Sequence, residues 1–152
     1  MALLENKPRS ASAIAHENCR LMTVNRRNFD QMVATQPQLI ARLTTTLAER
    51  LWSMYRQLAN TQLQTPVMKL IDMLALQMEK SKVNIALGSH YQTDLTVQDV
   101  IDMCGIPQNQ QATAAYEFQN DQHVKIVNGK IFIPNCVELA KQAAFYRKQT
   151  RK

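Results

Sequence analysis

The sequence predicts an α+β fold: a short pair of strands, a long helix, and then a compact region of helices and a hairpin. Three observations carry that prediction. The stretch PQLIARLTTTLAERLWSMYRQLANTQL (37–63) contains no Gly and no Pro after Pro37, and its apolar residues recur at steps of three and four. Farther along, VQDVIDMC and a segment opening at Pro107 flank Gly105, which reads as helix, tight turn, helix. Directly after them, HVKIV-NG-KIFIP is a pair of alternating runs joined by Asn128-Gly129, the type I′ hairpin signature.

Each element follows from local chemistry. SASAIAHE and CRLMTVN alternate small or apolar with polar residues and meet at His16-Glu17-Asn18, so residues 1–24 read as loop and hairpin strands. Asn25 caps a short helix with Phe29, Met32 and Val33 on one face. Pro37 ends that helix and opens the next, because proline excludes the helical region for its predecessor yet fits the first turn of a helix.

At about 1.5 Å per residue the stretch 37–63 is about 40 Å long. Its stripe, Ile40, Leu43, Leu47, Leu51, Met54 and Leu58, has the spacing of a two-stranded coiled-coil seam. Such a stripe packs either on its own domain or on a second chain. Arg42, Glu49, Arg50, Arg56 and Gln57 lie on the opposite, polar face.

Thr65 then caps a helix with Pro66 at its first position and Val67, Leu70, Ile71, Leu74 and Met78 facing inward. Lys82–Gly88 reads as a short strand and Gly88–Thr93 as a loop. Thr96 with Asp99 forms a capping box in which Asp replaces the usual Glu or Gln. Asn135 caps a last helix through Val137, Leu139, Ala140, Ala143 and Ala144.

Length and composition bound the function. The 152 residues accommodate one domain or two small ones, with a boundary expected near 60–66, giving 1–64 and 65–152. No apolar run is long enough to span a bilayer, and no charged segment precedes an apolar one at the N-terminus. The three cysteines are scattered and odd in number, which points to a reducing, cytoplasmic setting rather than a disulfide framework. The net charge of +6 is compatible with a polyanionic partner. Lys141, Arg147, Lys148, Arg151 and Lys152 concentrate cations at the end of the chain. His16, His90 and His123 lack ligand spacing with the cysteines, so no metal is expected. With no GxSxG, P-loop or paired-carboxylate signature, no enzyme is expected either.

The order of elements and the string ALLENKPRSASAIA (2–15) together resemble the cyclic-AMP receptor protein (Crp/Fnr) family of bacterial transcription regulators. The resemblance implies the C-terminal part of a cyclic-nucleotide-binding β-roll, a long dimerisation helix, and then a winged helix-turn-helix domain. It places the phosphate-binding Arg on Arg9 and its small polar neighbour on Ser10, where a guanidinium grips a cyclic phosphate through charge-assisted bonds. It makes the long helix a homodimer seam and puts Met54 and Tyr55 against the nucleotide base.

Met1 falls just after the family's Gly-Glu pair, so the ribose-binding Glu and the earlier strands of the roll are not in this sequence. The expectation is an incomplete sensor, from a late start codon or a shortened gene, that takes cyclic AMP only when the missing part is restored.

The resemblance also assigns the DNA-reading residues. Val100, Cys104, Ile106 and Ala114 occupy apolar positions of a helix-turn-helix. Ile101 stands where a close crossing usually has Ala or Gly, and Gln111 where Val or Ile is usual. A buried amide left unpaired costs about 1–3 kcal/mol. Gln108, Asn109 and Thr113 are the candidate readers of base edges in double-stranded DNA, since Gln and Asn bond bidentately to adenine. Lys125, Lys130 and Lys141 are candidate phosphate contacts. The alternative is a degenerate winged helix that serves protein–protein contact.

Overall fold

The structure, a computed structural model, describes Pro8 and residues 11–149. The chain divides into two units, Met1–Arg50 and Leu51–Lys152. The division falls inside the long helix, so Leu51–Thr61 belongs to the second unit.

In the first unit, α1 (Arg26–Thr35) is capped by Asn25, whose side chain accepts from the Asn28 N–H. The Gln36 N–H bonds the Met32 carbonyl, and Pro37 then opens α2 (Gln38–Thr61), as its fixed φ allows. The expected strand pair before residue 25 does not form: residues 11–24 contain only bends and chain without regular secondary structure. Ile14, Leu21 and Met22 are almost fully exposed. Two strands with no third strand or helix face to cover them gain too little burial to offset ordering. None of the described residues of this unit is fully buried.

The second unit holds the core. It comprises the end of α2, α3 (Pro66–Lys80), β1 (Tyr91–Gln92), α4 (Val97–Cys104), α5 (Gln108–Gln119), β2 (Lys125–Val127), β3 (Lys130–Ile133) and α6 (Cys136–Gln149). Thr65 caps α3 by accepting from the Met68 N–H, with Pro66 in the first turn. Leu70 through Leu76 are all buried, so this helix is apolar nearly all round and sits at the centre. It packs against α4, α5 and α6. Val100 and Ile101 from α4, Ala114 and Phe118 from α5, Ile131 and Ile133 from β3, and Leu139 and Ala143 from α6 complete the core. Ile101 is part of it, accommodated where a small residue was expected.

The sheet is antiparallel in the order β1-β3-β2, with Ile126 opposite Ile131 and Tyr91 opposite Ile133. Asn128 and Gly129 both have positive φ (52° and 75°), as a type I′ turn requires.

Residues 82–88 are not a strand; the third strand lies at Tyr91–Gln92, inside the expected loop. The reason is the end of α3. Lys82 adopts a left-handed φ of 51°. Its N–H bonds the Glu79 carbonyl at 3.1 Å, and the Val83 N–H bonds Met78 at 3.0 Å. That is a Schellman motif with Lys in the place glycine usually takes. It turns the chain away, so that Tyr91 and Gln92 meet β3 instead.

Candidate nucleic-acid interface

The start of α4 and its turn into α5 are set by two local devices. Thr96 Oγ1 accepts from the Asp99 N–H while the Asp99 carboxylate accepts from the Thr96 N–H at 2.8 Å, a complete capping box for α4. These bonds, first the backbone one and then the hydroxyl, hold the Asp99 carboxyl below its ordinary value of 3.8, and Lys130 adds a smaller push in the same direction. At the other end Gly105 sits at φ 61°, ψ 39°, the left-handed conformation that reverses the chain toward α5.

Ile106 is buried beside Cys104, and Gln111 sits half-buried above it. The Gln111 Nε2 donates to the Ile106 carbonyl at 2.9 Å. The amide at this position is therefore satisfied by the turn itself, and the desolvation cost anticipated for it is met by a hydrogen bond.

The turn presents the start of α5 to solvent. Gln108, Asn109 and Thr113 are all exposed, and among the described residues none of their side chains makes a hydrogen bond. Pro107 occupies the N-cap position, and no side chain caps the first turn of α5. The Gln110 N–H bonds the Pro107 carbonyl at 2.8 Å, while the Gln108 and Asn109 N–H groups can donate to an anion and the side-chain amides can pair with a base edge. Tyr116, three residues past Thr113, is 73 % exposed. Sequence reasoning passed over it, although its spacing from Thr113 places it on the same helical face.

The cations are distributed unequally. Lys125 on β2 is exposed. Lys130 is half-buried, its ammonium donating to the Asp94 carbonyl, and Lys141 pairs with Glu138 at 2.9 Å on the surface. Arg147, counted in the basic tail, is instead bonded to Asp72 in the interior. Arg151 and Lys152 lie outside the described residues.

Arg56 departs furthest from expectation. Placed by periodicity on the solvent-facing side of the long helix, it is 7 % exposed. Its Nη1 lies 2.7 Å from both Glu79 oxygens and its Nη2 3.3 Å from Asp72 Oδ1. Asn60 adds a bond to Asp72 Oδ2 at 3.1 Å. The partners lie 16 and 23 residues along the chain, beyond the reach of any helical pattern.

The stripe residues Ile40, Leu47, Leu51, Met54 and Leu58 are exposed, between 40 and 69 %, and Leu43 is half-buried. The stripe crosses the division between the two units, and among the described residues none of its side chains is fully buried. The pair expected to face a nucleotide base lies on the same helix. Met54 offers only a thioether, while the Tyr55 ring stacks on Trp52 at 5.7 Å, both rings being about half exposed. Arg9 and Ser10 lie outside the described residues. Comparison of the chain with protein-family models, curated proteins and solved structures finds no match.

Proposed function

We propose that the chain is a homodimeric, DNA-binding transcription regulator of the Crp/Fnr type, with a winged-helix module in its C-terminal unit. One observation carries the reading. The exposed, unpaired side chains of Gln108, Asn109 and Thr113 stand at the uncapped start of a helix that follows a left-handed Gly105 turn and precedes a type I′ hairpin. Gln108 and Asn109 read adenine edges in the major groove, and Thr113 packs or bonds one turn along. Lys125 and Lys130 on the hairpin, together with the helix N-terminus, hold backbone phosphates. The exposed stripe residues Ile40, Leu47 and Leu51 form the surface a second copy covers. Two copies related by a two-fold axis present their reading helices about one DNA turn apart. Arg9 and Ser10 stand at the positions where the family holds the phosphate of a cyclic nucleotide.

The exposed Tyr116 favours a second reading, in which the same face meets a protein, since aromatic side chains concentrate at protein interfaces. Fluorescence anisotropy on an A·T-rich palindromic duplex separates the two. The DNA reading expects affinity that falls steeply with salt, and a loss of about tenfold or more in a Gln108→Ala, Asn109→Ala double variant. Absence of binding at low salt overturns it. Binding that the double variant leaves unchanged transfers the face to protein contact. Sedimentation of Leu47→Glu, expected to be monomeric where the parent chain is dimeric, tests the seam.

A further inference from the structure

A hollow of about 470 Å³ opens in the second unit where the end of α2 meets α3 and α4. Met54 and Leu58 line it from α2, Met73, Gln77 and Lys80 from α3, and Met103 from α4. Its size lies within the range of small-molecule sites. Three methionines, Leu58 and Cys104 supply the apolar part of its lining, and the methionines re-pack around varied apolar shapes.

The polar groups along the rim are mostly engaged. Gln77 Nε2 lies 3.5 Å from the Met103 sulfur. Asn60 donates to the Lys69 carbonyl at 2.8 Å and to Asp72, and the Thr61 hydroxyl donates to the Leu58 carbonyl. The remaining charge is a single cation. Lys80 is the one charged side chain lining the hollow, and it makes no ion pair among the described residues. The nearest acids on its helix, Asp72 and Glu79, are already bonded to Arg56. An apolar floor with one unpaired ammonium at its edge is complementary to an apolar body carrying one negative charge.

We propose that this hollow binds a small amphipathic anion, a hydrocarbon acid whose chain lies among Met54, Met73 and Met103 and whose carboxylate meets Lys80. The hollow is floored by the C-terminal end of α4, one residue before the Gly105 turn, so its occupant touches both the long helix and the element that leads into α5. Its binding is read without DNA and stands apart from the DNA reading.

Isothermal titration of the full chain with decanoate, and with decanol as the uncharged control, tests the proposal. Saturable decanoate binding is expected. Lys80→Gln should weaken it roughly tenfold, the usual effect of losing one bond to a charged group, while leaving the weaker decanol signal unchanged. Met103→Asp, at a position already half exposed, should abolish both; unchanged thermal melting of each variant separates loss of binding from loss of fold. Absence of saturable decanoate binding overturns the proposal, as does equal binding by Lys80→Gln and Met103→Asp. Affinity that falls as the protein concentration rises, together with dimer formation in sedimentation, also overturns it, because a second copy then fills the hollow.

Discussion

Arg56 Nη2 donates to Asp72 Oδ1 at 3.3 Å in the interior of the C-terminal unit, and Arg147 bonds the same oxygen from the last helix. Asp72 is completely buried and is the only acid that both guanidinium groups share among the described residues. It ties the end of α2 and α6 to the central α3. Removing one member of a buried ion pair strands the other charge, which typically costs about 3–5 kcal/mol. Asp72→Ala is therefore expected to lower unfolding stability by that amount in urea denaturation. A change below about 1 kcal/mol would show that Arg56 finds full compensation in Glu79.

Two left-handed positions give opposite expectations. Lys82, at φ 51°, carries a side chain where the Schellman motif favours glycine. Lys82→Gly should raise stability by up to about 1 kcal/mol, seen as a higher melting temperature. Gly105, at φ 61°, has nothing within 4 Å of an added Cβ. Gly105→Ala should thus lower stability by about 1–2 kcal/mol through the backbone alone. If the two substitutions shift the melting temperature in the same direction, the assigned backbone conformations are wrong.

The capping box makes part of the stability depend on acid. The Asp99 carboxyl is held below 3.8 in the folded chain by its bonds to Thr96. A lowered folded value stabilises the fold above the unfolded value, and that contribution disappears as pH falls through the folded one. Asp99→Asn should be less stable than the parent chain at neutral pH, and the gap should close below about pH 3.8. A gap independent of pH would mean that the carboxylate's charge plays no part in the cap. Thr96→Ala, which deletes the other half, should cost about 1 kcal/mol.

Burial pushes the Cys104 thiol up to about 12 from 9.0, with Asp72 adding to the shift and Lys69 opposing it. Cys136 is also buried, whereas Cys19 is exposed. A thiol-specific disulfide reagent at neutral pH should label Cys19 rapidly and the other two only on unfolding, because the thiolate is the reacting form. The same shift has a stability consequence at high pH. Between 9.0 and about 12 the unfolded chain loses the Cys104 proton while the folded chain keeps it, so stability falls with rising pH. Cys104→Ala should show a shallower decline over that window than the parent chain. Superimposable curves would contradict the shift.

What the sequence determined by itself was local. Asn25, Thr65, Thr96 and Asn135 cap their helices because each side chain reaches an N–H within three residues. Gly105 and Asn128-Gly129 turn the chain because few residues tolerate positive φ. The exposed start of α5 was legible for the same reason, since its position depends on the turn that precedes it.

Tertiary structure decided the rest. Whether Gln111 was an unsatisfied amide depended on where the Ile106 carbonyl pointed after the turn closed. Whether Arg56 faced water depended on Asp72 and Glu79, and on Arg147 reaching Asp72 across 75 residues. Residues 82–88 alternate like a strand but leave α3 through the left-handed turn at Lys82, while Tyr91–Gln92 pair with β3. Periodicity tells which face of an element is apolar, but it carries no information about which distant charge or strand edge will arrive there. That is set by packing around α3, where contacts between residues far apart in the chain are formed together.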